Sequence, residues 1–135
     1  MSRKASREIA MKLVYQIEIQ KGDIEWQVND ALENKNLTDV DKQYIRTVVF
    51  GVFNNLDRID GLIEKHAIGW KLNRISKVDL SILRVSIYEI LFEDEIPYSV
   101  SVNEAVELAK KYSTAEAGSF INGILSKIPK LQTTQ

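Results

Sequence analysis

The sequence predicts an all-α fold of six or seven helices joined by short connections. Apolar residues recur at the three- and four-residue spacing of a helix face along most of the 135 residues. Two prolines and six glycines are too few for the turns of an all-β protein. Neither half of the chain is long enough to bury a large core alone, so residues 1–135 are expected to form one domain.

The first half of the chain is predicted to begin with an amphipathic helix, and a weaker amphipathic segment follows from Asp23. Thr38 and Asp41 have the spacing of a capping box, which marks a helix start. A long apolar stretch follows, and because Gly51 and Gly61 lie inside it, it forms either one bent helix or two helices. The apolar stripe of the first helix consists of Ile9, Ala10, Leu13, Val14 and Ile17.

A central helix is predicted to start at Ser76, which with Asp79 repeats the capping pattern. At about 100° per residue, the apolar residues that follow point almost all round the helix. A helix that is apolar on every side is buried. This segment is therefore predicted to be the core of the fold, and the irregular residues 67–76 to connect it to the preceding helices.

The last part of the chain is predicted to hold two further helices. Pro97 disfavours helical geometry at the residue before it, so residues 93–99 read as a connector. Ser101 and Glu104 form a second capping box, which predicts a helix start at Ser101. The final helix is predicted to begin near Thr114 and to stop before Pro129, followed by a short polar tail over residues 131–135.

The formal net charge of −1 hides an uneven distribution along the chain. Residues 1–12 carry a net +3 and residues 110–135 also carry +3. Residues 18–41 carry a net −5, and residues 89–107 hold six acidic residues and no basic one. Such segregation is compatible with one anionic and one cationic partner on a small domain, or with chance clustering on an ordinary surface.

Enzymatic function is not predicted. The sequence contains no cysteine, and its single histidine, His66, has none of the spacing of a metal site and reads as a residue at a helix C-terminus. Phosphate-loop, dinucleotide and nucleophile-elbow motifs are absent. No metal or cofactor is therefore expected. Without a secretory signal or a run of eighteen apolar residues, the protein is predicted to be cytoplasmic and to have no contact with a membrane.

Two aromatic residues are candidates for contact with nucleic acid. Tyr15 projects away from the apolar stripe of the first helix, near Lys4 and Lys12, and an exposed ring among ammonium groups suits stacking on an unpaired base. Phe120 falls at the edge of the last helix's stripe, beside Gly123, which leaves room for a flat ligand. The alternative for each is ordinary packing, Tyr15 against another helix and Phe120 at the rim of the core.

Several segments, in order along nearly the whole chain, resemble the NusB family of bacterial transcription antitermination factors. The opening SRKASREIAMKLVYQIE is similar to the family's basic first helix, which ends in a tyrosine. The segments VDLSILRVSIYEILF, IPYSVSVNEAVELAKKY and SFINGILSKI are similar to its C-terminal half. This resemblance implies a non-enzymatic RNA-binding protein of two small antiparallel helical sub-bundles packed as one domain.

The resemblance also implies partners and roles. The family pairs with NusE, a small-subunit ribosomal protein, and the pair binds the single-stranded boxA element of nascent ribosomal RNA, so that RNA polymerase passes terminators. By position, the protein-partner contact is expected near Asp79, and the acidic middle of the chain is expected to face the basic partner. The RNA-facing positions are Arg3, Lys4 and Arg7, which form a basic arm, and Tyr15, Glu116 and Phe120.

Two alternatives remain at this point. The first is a helical RNA-binding module without an antitermination role, of the kind fused to ribosomal RNA methyltransferases, although the chain ends at Gln135 with no room for a methyltransferase domain. The second is a helical adaptor that binds proteins through its acidic middle, with incidental basic ends. RNA binding with and without a basic ribosomal protein would separate these functions.

Overall fold

Helices account for most of the chain in the computed structural model, which describes residues 2–33 and 36–128. Within these ranges there are seven α-helices, one short 3₁₀ turn at Leu72–Arg74 and no strand, which confirms the predicted all-α class. The polar tail predicted over residues 131–135 lies outside the described residues. The helices are α1 (Arg3–Gln20), α2 (Ile24–Ala31), α3 (Asp39–Asn54), α4 (Leu56–His66), α5 (Lys77–Phe92), α6 (Tyr98–Tyr112) and α7 (Ala115–Leu125).

Most helix starts follow the capping signals of the sequence. The Thr38 side chain accepts a hydrogen bond from the Asp41 backbone N–H at 3.1 Å, and the Asp41 carboxylate accepts one from the Thr38 N–H at 2.9 Å, so the capping box is confirmed. Ser76 caps α5 and Thr114 caps α7 in the predicted places. These caps satisfy backbone donors that have no partner inside the helix.

Two predicted boundaries differ from the structure. The long stretch after Thr38 is two helices, and it breaks at Asn55 rather than at either glycine. The prediction that α6 starts at Ser101 is wrong, because the helix begins at Tyr98, directly after Pro97. Ser101 lies inside the helix, fully buried, and its hydroxyl donates to Glu89 at 2.9 Å instead of capping a backbone N–H.

Helix α5 is the centre of the fold, as predicted. It is buried along twelve of its sixteen residues and packs against α1, α3, α4, α6 and α7. On one side, α1 packs with α2 and α3, and on the other α6 packs with α7. Ion pairs at opposite ends, Arg7 with Glu89 and Lys77 with Glu18, show that α1 and α5 run antiparallel.

Close approach and charge pairing lock the helices onto α5. A Cβ atom at Gly51 of α3 would lie 2.2 Å from the Tyr88 ring of α5, so only glycine fits there. Arg84 of α5 forms a bidentate pair with Asp60 of α4, with both N···O distances at 2.9 Å, and lies 3.5 Å from Glu18 of α1.

Along the described ranges, no helix is both long and apolar enough to cross a membrane.

Candidate nucleic-acid interface

The first turn of α1 presents two of the three cations of the predicted arm to solvent. Arg3 and Lys4 are both exposed, and we call this pair the N-terminal turn. The guanidinium carbon of Arg3 lies 4.3 Å from the centre of the Tyr44 ring, which is a cation–π contact. The N-terminal turn is therefore a surface of positive charge, and one of its two cations rests on a buried aromatic ring.

The third member of the predicted arm, Arg7, does not belong to this surface. The residue is 2% exposed, and its Nε–H donates to Glu89 at 2.7 Å, while Nη1 lies 3.7 Å from Glu104. Burial by itself would lower the pKa of Arg7, but the hydrogen bond and the charge of Glu89 hold it above the ordinary value. Arg7 was predicted to belong to the basic arm that contacts RNA, and its burial against Glu89 keeps its guanidinium away from solvent. The burial of Arg7 could not be predicted from local sequence spacing, because its partner Glu89 lies 82 positions away.

Glu89 is the hub of a buried polar network that joins four helices. Its fully buried carboxylate accepts hydrogen bonds from Arg7 of α1, Tyr44 of α3 and Ser101 of α6. Burial, followed by the charge of Glu89, raises the pKa of Tyr44, so that its hydroxyl stays protonated and donates. A buried carboxylate with several donors and a cation is satisfied in the interior.

A second group of cations lies between α1 and the end of α6. The carboxylate of Glu8 accepts a hydrogen bond from the Tyr112 hydroxyl and lies 3.0 Å from the Lys111 ammonium and 3.7 Å from that of Lys12. The two ammonium groups lie 5.3 Å and 5.2 Å from the centre of the Tyr112 ring. The hydrogen bond from Tyr112, and then the Lys111 charge, hold the pKa of Glu8 below its ordinary value. We call these four residues the Glu8 cluster.

Tyr112 and Lys111 were not predicted from the sequence as site residues. Tyr112 lies 104 positions from Glu8, so its contact with Glu8 could not be read from the local sequence. The one local signal is the direct succession of two lysines and a tyrosine at a helix end. Tyr15 is 38% exposed and lies three residues after Lys12, so it shares the outer face of α1 with this cluster.

Phe120 and Glu116 line a cavity of about 280 Å³ at the start of α7. Phe120 is half-buried and lines the cavity together with Trp70, and a Cβ atom at Gly123 would meet nothing within 4 Å, so the predicted room beside Phe120 is present. The two rings meet edge to face, with centres 6.0 Å apart and an interplanar angle of 66°. Trp70 is 52% exposed and was missed, because it lies in the irregular stretch between α4 and α5. We call this the Trp70 cavity.

Asp79 lines the same cavity, although it was expected to meet a different partner from Phe120. It lies in the first turn of α5, and its backbone N–H donates to the Ser76 cap at 3.1 Å. Its Oδ1 atom is buried and has no hydrogen-bond partner among the residues that the structure describes. A shielded carboxylate oxygen of this kind gains from a donor supplied by a ligand or a partner.

The Glu8 cluster and the Trp70 cavity are joined through a short piece of chain. Tyr112 closes α6, and Thr114, two residues later, caps α7 and lines the cavity. Exposed cations and partly exposed rings therefore follow one another from α1 across the end of α6 to α7. Positive charge interleaved with aromatic rings is the arrangement used to bind single-stranded nucleic acid.

Only some of the acidic residues in the middle of the chain are exposed at the surface. Glu89 is fully buried, and Asp41 is 6% exposed and accepts a hydrogen bond from the Ser6 hydroxyl at 3.2 Å. Both carboxylates hold helices together and cannot reach a partner. The net charges summed along the sequence therefore overstate the negative charge that this region shows to solvent.

Comparison with known proteins identifies the family. The model of the NusB family matches residues 4–130. The chain belongs to the NusB family. The chain is 61% identical over 130 residues to the transcription antitermination protein NusB of Ruminiclostridium cellulolyticum. The aligned residues cover 96% of this chain and 90% of that protein.

Two solved structures extend the similarity to the whole fold. NusB of T. maritima superposes with a TM-score of 0.90 at 37% identity, covering 96% of this chain and 92% of that one. A crystal structure of the antitermination factors NusB and NusE in complex with double-stranded RNA contains a chain that superposes with a TM-score of 0.84 at 28% identity, covering 96% of both chains. The NusB resemblance read from the sequence is confirmed.

Proposed function

We propose that this chain is a transcription antitermination factor that binds boxA-type RNA together with NusE. The observation that carries the proposal is the match of nearly the whole fold to a NusB found with NusE and RNA. A relative named as a transcription antitermination protein, 61% identical over nearly the full chain, supports the same role. Direct contact is with RNA and NusE, and RNA polymerase is reached through that complex.

The proposed RNA surface has an electrostatic part and a stacking part. Arg3 and Lys4, both exposed, neutralise phosphates, which makes binding depend on salt. Tyr15 and Phe120 stack on bases, and Glu116 at the rim of the Trp70 cavity accepts hydrogen bonds from base edges. Arg7 supports this surface from beneath rather than touching a phosphate, because it is buried against Glu89.

Asp79 is proposed to meet the protein partner. Its shielded Oδ1 atom offers an acceptor that a guanidinium or ammonium group of a basic ribosomal protein would satisfy. Because Asp79 shares the cavity with Phe120, the protein partner and the RNA would lie side by side. A protein partner bound at Asp79 would form one side of the RNA site and strengthen RNA binding.

The remaining features of the proposal concern the kind of protein. We propose that residues 1–135 act as one non-enzymatic binding domain in the cytoplasm, where transcription takes place. The buried carboxylates of Glu89 and Asp41 are engaged in hydrogen bonds that hold helices, which is a structural use rather than a catalytic one. RNA binding and partner binding therefore account for the exposed charged and aromatic groups.

The test measures RNA binding with and without the protein partner. Fluorescence anisotropy would follow a short boxA-type RNA, single-stranded and then annealed into a duplex, against the chain alone and against an equimolar mixture with NusE. We expect tighter binding in the mixture and, in a transcription reaction with RNA polymerase, increased read-through of a terminator downstream of boxA.

Other outcomes identify the alternatives. RNA binding that NusE does not strengthen, with unchanged read-through, would indicate an RNA-binding module without an antitermination role. Binding of NusE without RNA in any arm would indicate a protein-binding adaptor. A scrambled RNA of the same length and composition is the control for sequence preference.

A further inference from the structure

Tyr44 connects the exposed N-terminal turn of α1 to the buried carboxylate of Glu89. The tyrosine is 5% exposed, its hydroxyl donates to Glu89, and the guanidinium of Arg3 lies 4.3 Å from its ring centre. Arg3 is at the surface, whereas Glu89 is fully buried. One side chain therefore spans the distance from the core to the RNA-facing surface.

The geometry suits a guanidinium that must also bind phosphate. A guanidinium resting on an aromatic face uses its flat surface for the ring and keeps its N–H edge free for a planar or bidentate acceptor. Without such a platform, an exposed arginine samples many rotamers and loses that freedom when it binds. A fixed ring beneath Arg3 reduces this loss.

The backbone of the same turn is held by other contacts. The Ser6 hydroxyl donates to Asp41 at 3.2 Å, and Arg7 donates to Glu89 at 2.7 Å, so α1 is tied to α3 and α5 without the Arg3 side chain. The contact between Arg3 and Tyr44 therefore adds little to the placing of the helix. Its effect is on the direction of one cation.

We propose that Tyr44 is a positioning residue for RNA binding, which orients the Arg3 guanidinium toward a phosphate of the bound RNA. The inference rests on the proposed function. Glu89, by accepting the Tyr44 hydroxyl, fixes the ring, and Arg3 is the group that touches the RNA. Neither Tyr44 nor Glu89 contacts the ligand, so their influence on affinity passes entirely through Arg3.

The test is a double-mutant cycle on the complex with NusE and a single-stranded boxA-type RNA. Tyr44→Leu removes the ring, and Arg3→Gln removes the cation. We expect Tyr44→Leu to weaken RNA binding about two- to fivefold, the size of a cation–π contact at a partly exposed site. In the Arg3→Gln background, the same substitution should change the affinity by less than about 1.5-fold, because the two residues act as a unit.

A purely structural role of Tyr44 gives a different result. Loss of stability would weaken RNA binding equally in both backgrounds, and that result would overturn the proposal, as would unchanged affinity of Tyr44→Leu. Tyr98→Leu is the matched control, since the Tyr98 hydroxyl donates to the Leu125 carbonyl of α7 at 2.7 Å, so this side chain contacts α7 and not the Arg3 guanidinium. Its effect on affinity should be the same with and without Arg3. Tyr44→Phe keeps the ring beneath Arg3 but removes the hydrogen bond to Glu89, so it should weaken RNA binding less than Tyr44→Leu does.

A second measurement separates this inference from the proposed function. In the free protein, the ring current of Tyr44 should shift the NMR signals of the Arg3 Hδ protons upfield, and Tyr44→Leu should abolish that shift. If the shift is present and the wild-type complex binds no RNA, the proposed function fails, and with it the role in RNA binding. If RNA binds and no shift is seen, the function stands and the positioning role of Tyr44 is overturned.

Discussion

The N-terminal turn and the Trp70 cavity are held in place by different forces. Arg3 and Lys4 lie above a buried network of charges and hydrogen bonds centred on Glu89, which Arg7 and Tyr44 reach from α1 and α3. The Trp70 cavity is built from two ring faces and the capped starts of α5 and α7. The N-terminal turn therefore supplies positive charge above a buried polar network. The Trp70 cavity supplies apolar aromatic surface, with the carboxylates of Asp79 and Glu116 in its lining.

The difference predicts how each region responds to perturbation. A buried ionic network is costly to break, because the partner that remains is left as an uncompensated charge. Its exposed cations, in contrast, act through a field that salt screens. Stacking in the cavity depends on contact area and is nearly independent of salt. Three experiments test this contrast, and a fourth tests the Glu8 cluster.

The largest expected effect is on stability and comes from breaking the buried network. Arg7→Ala should lower the free energy of unfolding by about 3–5 kcal/mol, because Glu89 loses its cation while remaining buried. Urea unfolding followed by circular dichroism measures this. The control is Lys77→Ala, which removes a half-exposed pair with Glu18 and should cost less than about 1 kcal/mol. Equal losses would mean that the Arg7 pair behaves as a surface pair.

The next effect belongs to the Trp70 cavity. Phe120→Ala should weaken binding of boxA-type RNA, measured with NusE present, by about 1–3 kcal/mol because the stacked ring is removed. The dependence of affinity on salt should stay unchanged, because no charge is removed. Phe92→Ala is the control, since Phe92 is 37% exposed and packs on Tyr88, with ring centres 5.0 Å apart. Unaltered RNA affinity of Phe120→Ala would remove it from the interface.

The opposite signature is expected at the N-terminal turn. Reversing Arg3 and Lys4 to Glu should make the plot of log affinity against log salt shallower by about 0.7 for each phosphate of single-stranded RNA that the protein no longer neutralises. Anisotropy titrations at several salt concentrations give this slope. Reversal of Arg46 and Arg58, which are exposed on α3 and α4, makes the same change in net charge and should leave the slope nearly unaltered. An identical slope in both variants would place the phosphates elsewhere.

The smallest effect is a pH dependence in the Glu8 cluster. The hydrogen bond from Tyr112 holds the pKa of Glu8 below its ordinary value of 4.5, so Glu8 stabilises the fold above that pH and loses this contribution as the pH falls through its folded-state pKa. The difference in unfolding free energy between wild type and Glu8→Gln should be under about 1 kcal/mol at pH 7, because the group is partly solvated. It should decrease as the pH falls through the folded-state pKa of Glu8 and vanish once this carboxyl is protonated in both the folded and the unfolded protein. A difference that persists in acid would contradict the assignment.

A control for this pH effect lies on the same surface. Glu107 forms an exposed pair with Lys110 three residues away, with an N···O distance of 3.4 Å. Glu107→Gln should change stability little at any pH, because such surface pairs contribute almost nothing measurable. A pH dependence as large as that of Glu8→Gln would show that general surface charge, rather than the hydrogen bond from Tyr112, is the cause.

Sequence patterns predicted those features that depend on neighbours three or four residues apart. The Thr38 and Asp41 capping box, the Ser76 and Thr114 caps and the all-round burial of α5 needed no knowledge of the fold, because a helix brings such residues together by its own geometry. Ser101 shows the limit of the method. It matched a capping pattern, yet tertiary packing used its hydroxyl to satisfy the buried Glu89.

The sequence by itself determined the helices, their buried faces and the family resemblance. Only the tertiary structure decided which charged residues reach solvent. Arg7 is buried in a pair with Glu89, whereas Arg3 and Lys4 are exposed. It also placed Trp70 against Phe120, 50 positions apart, and brought Asp79 to the same cavity. The physical reason is that a charge or ring takes its role from the groups around it, and contacts between distant parts of the chain exist only after the helices have packed.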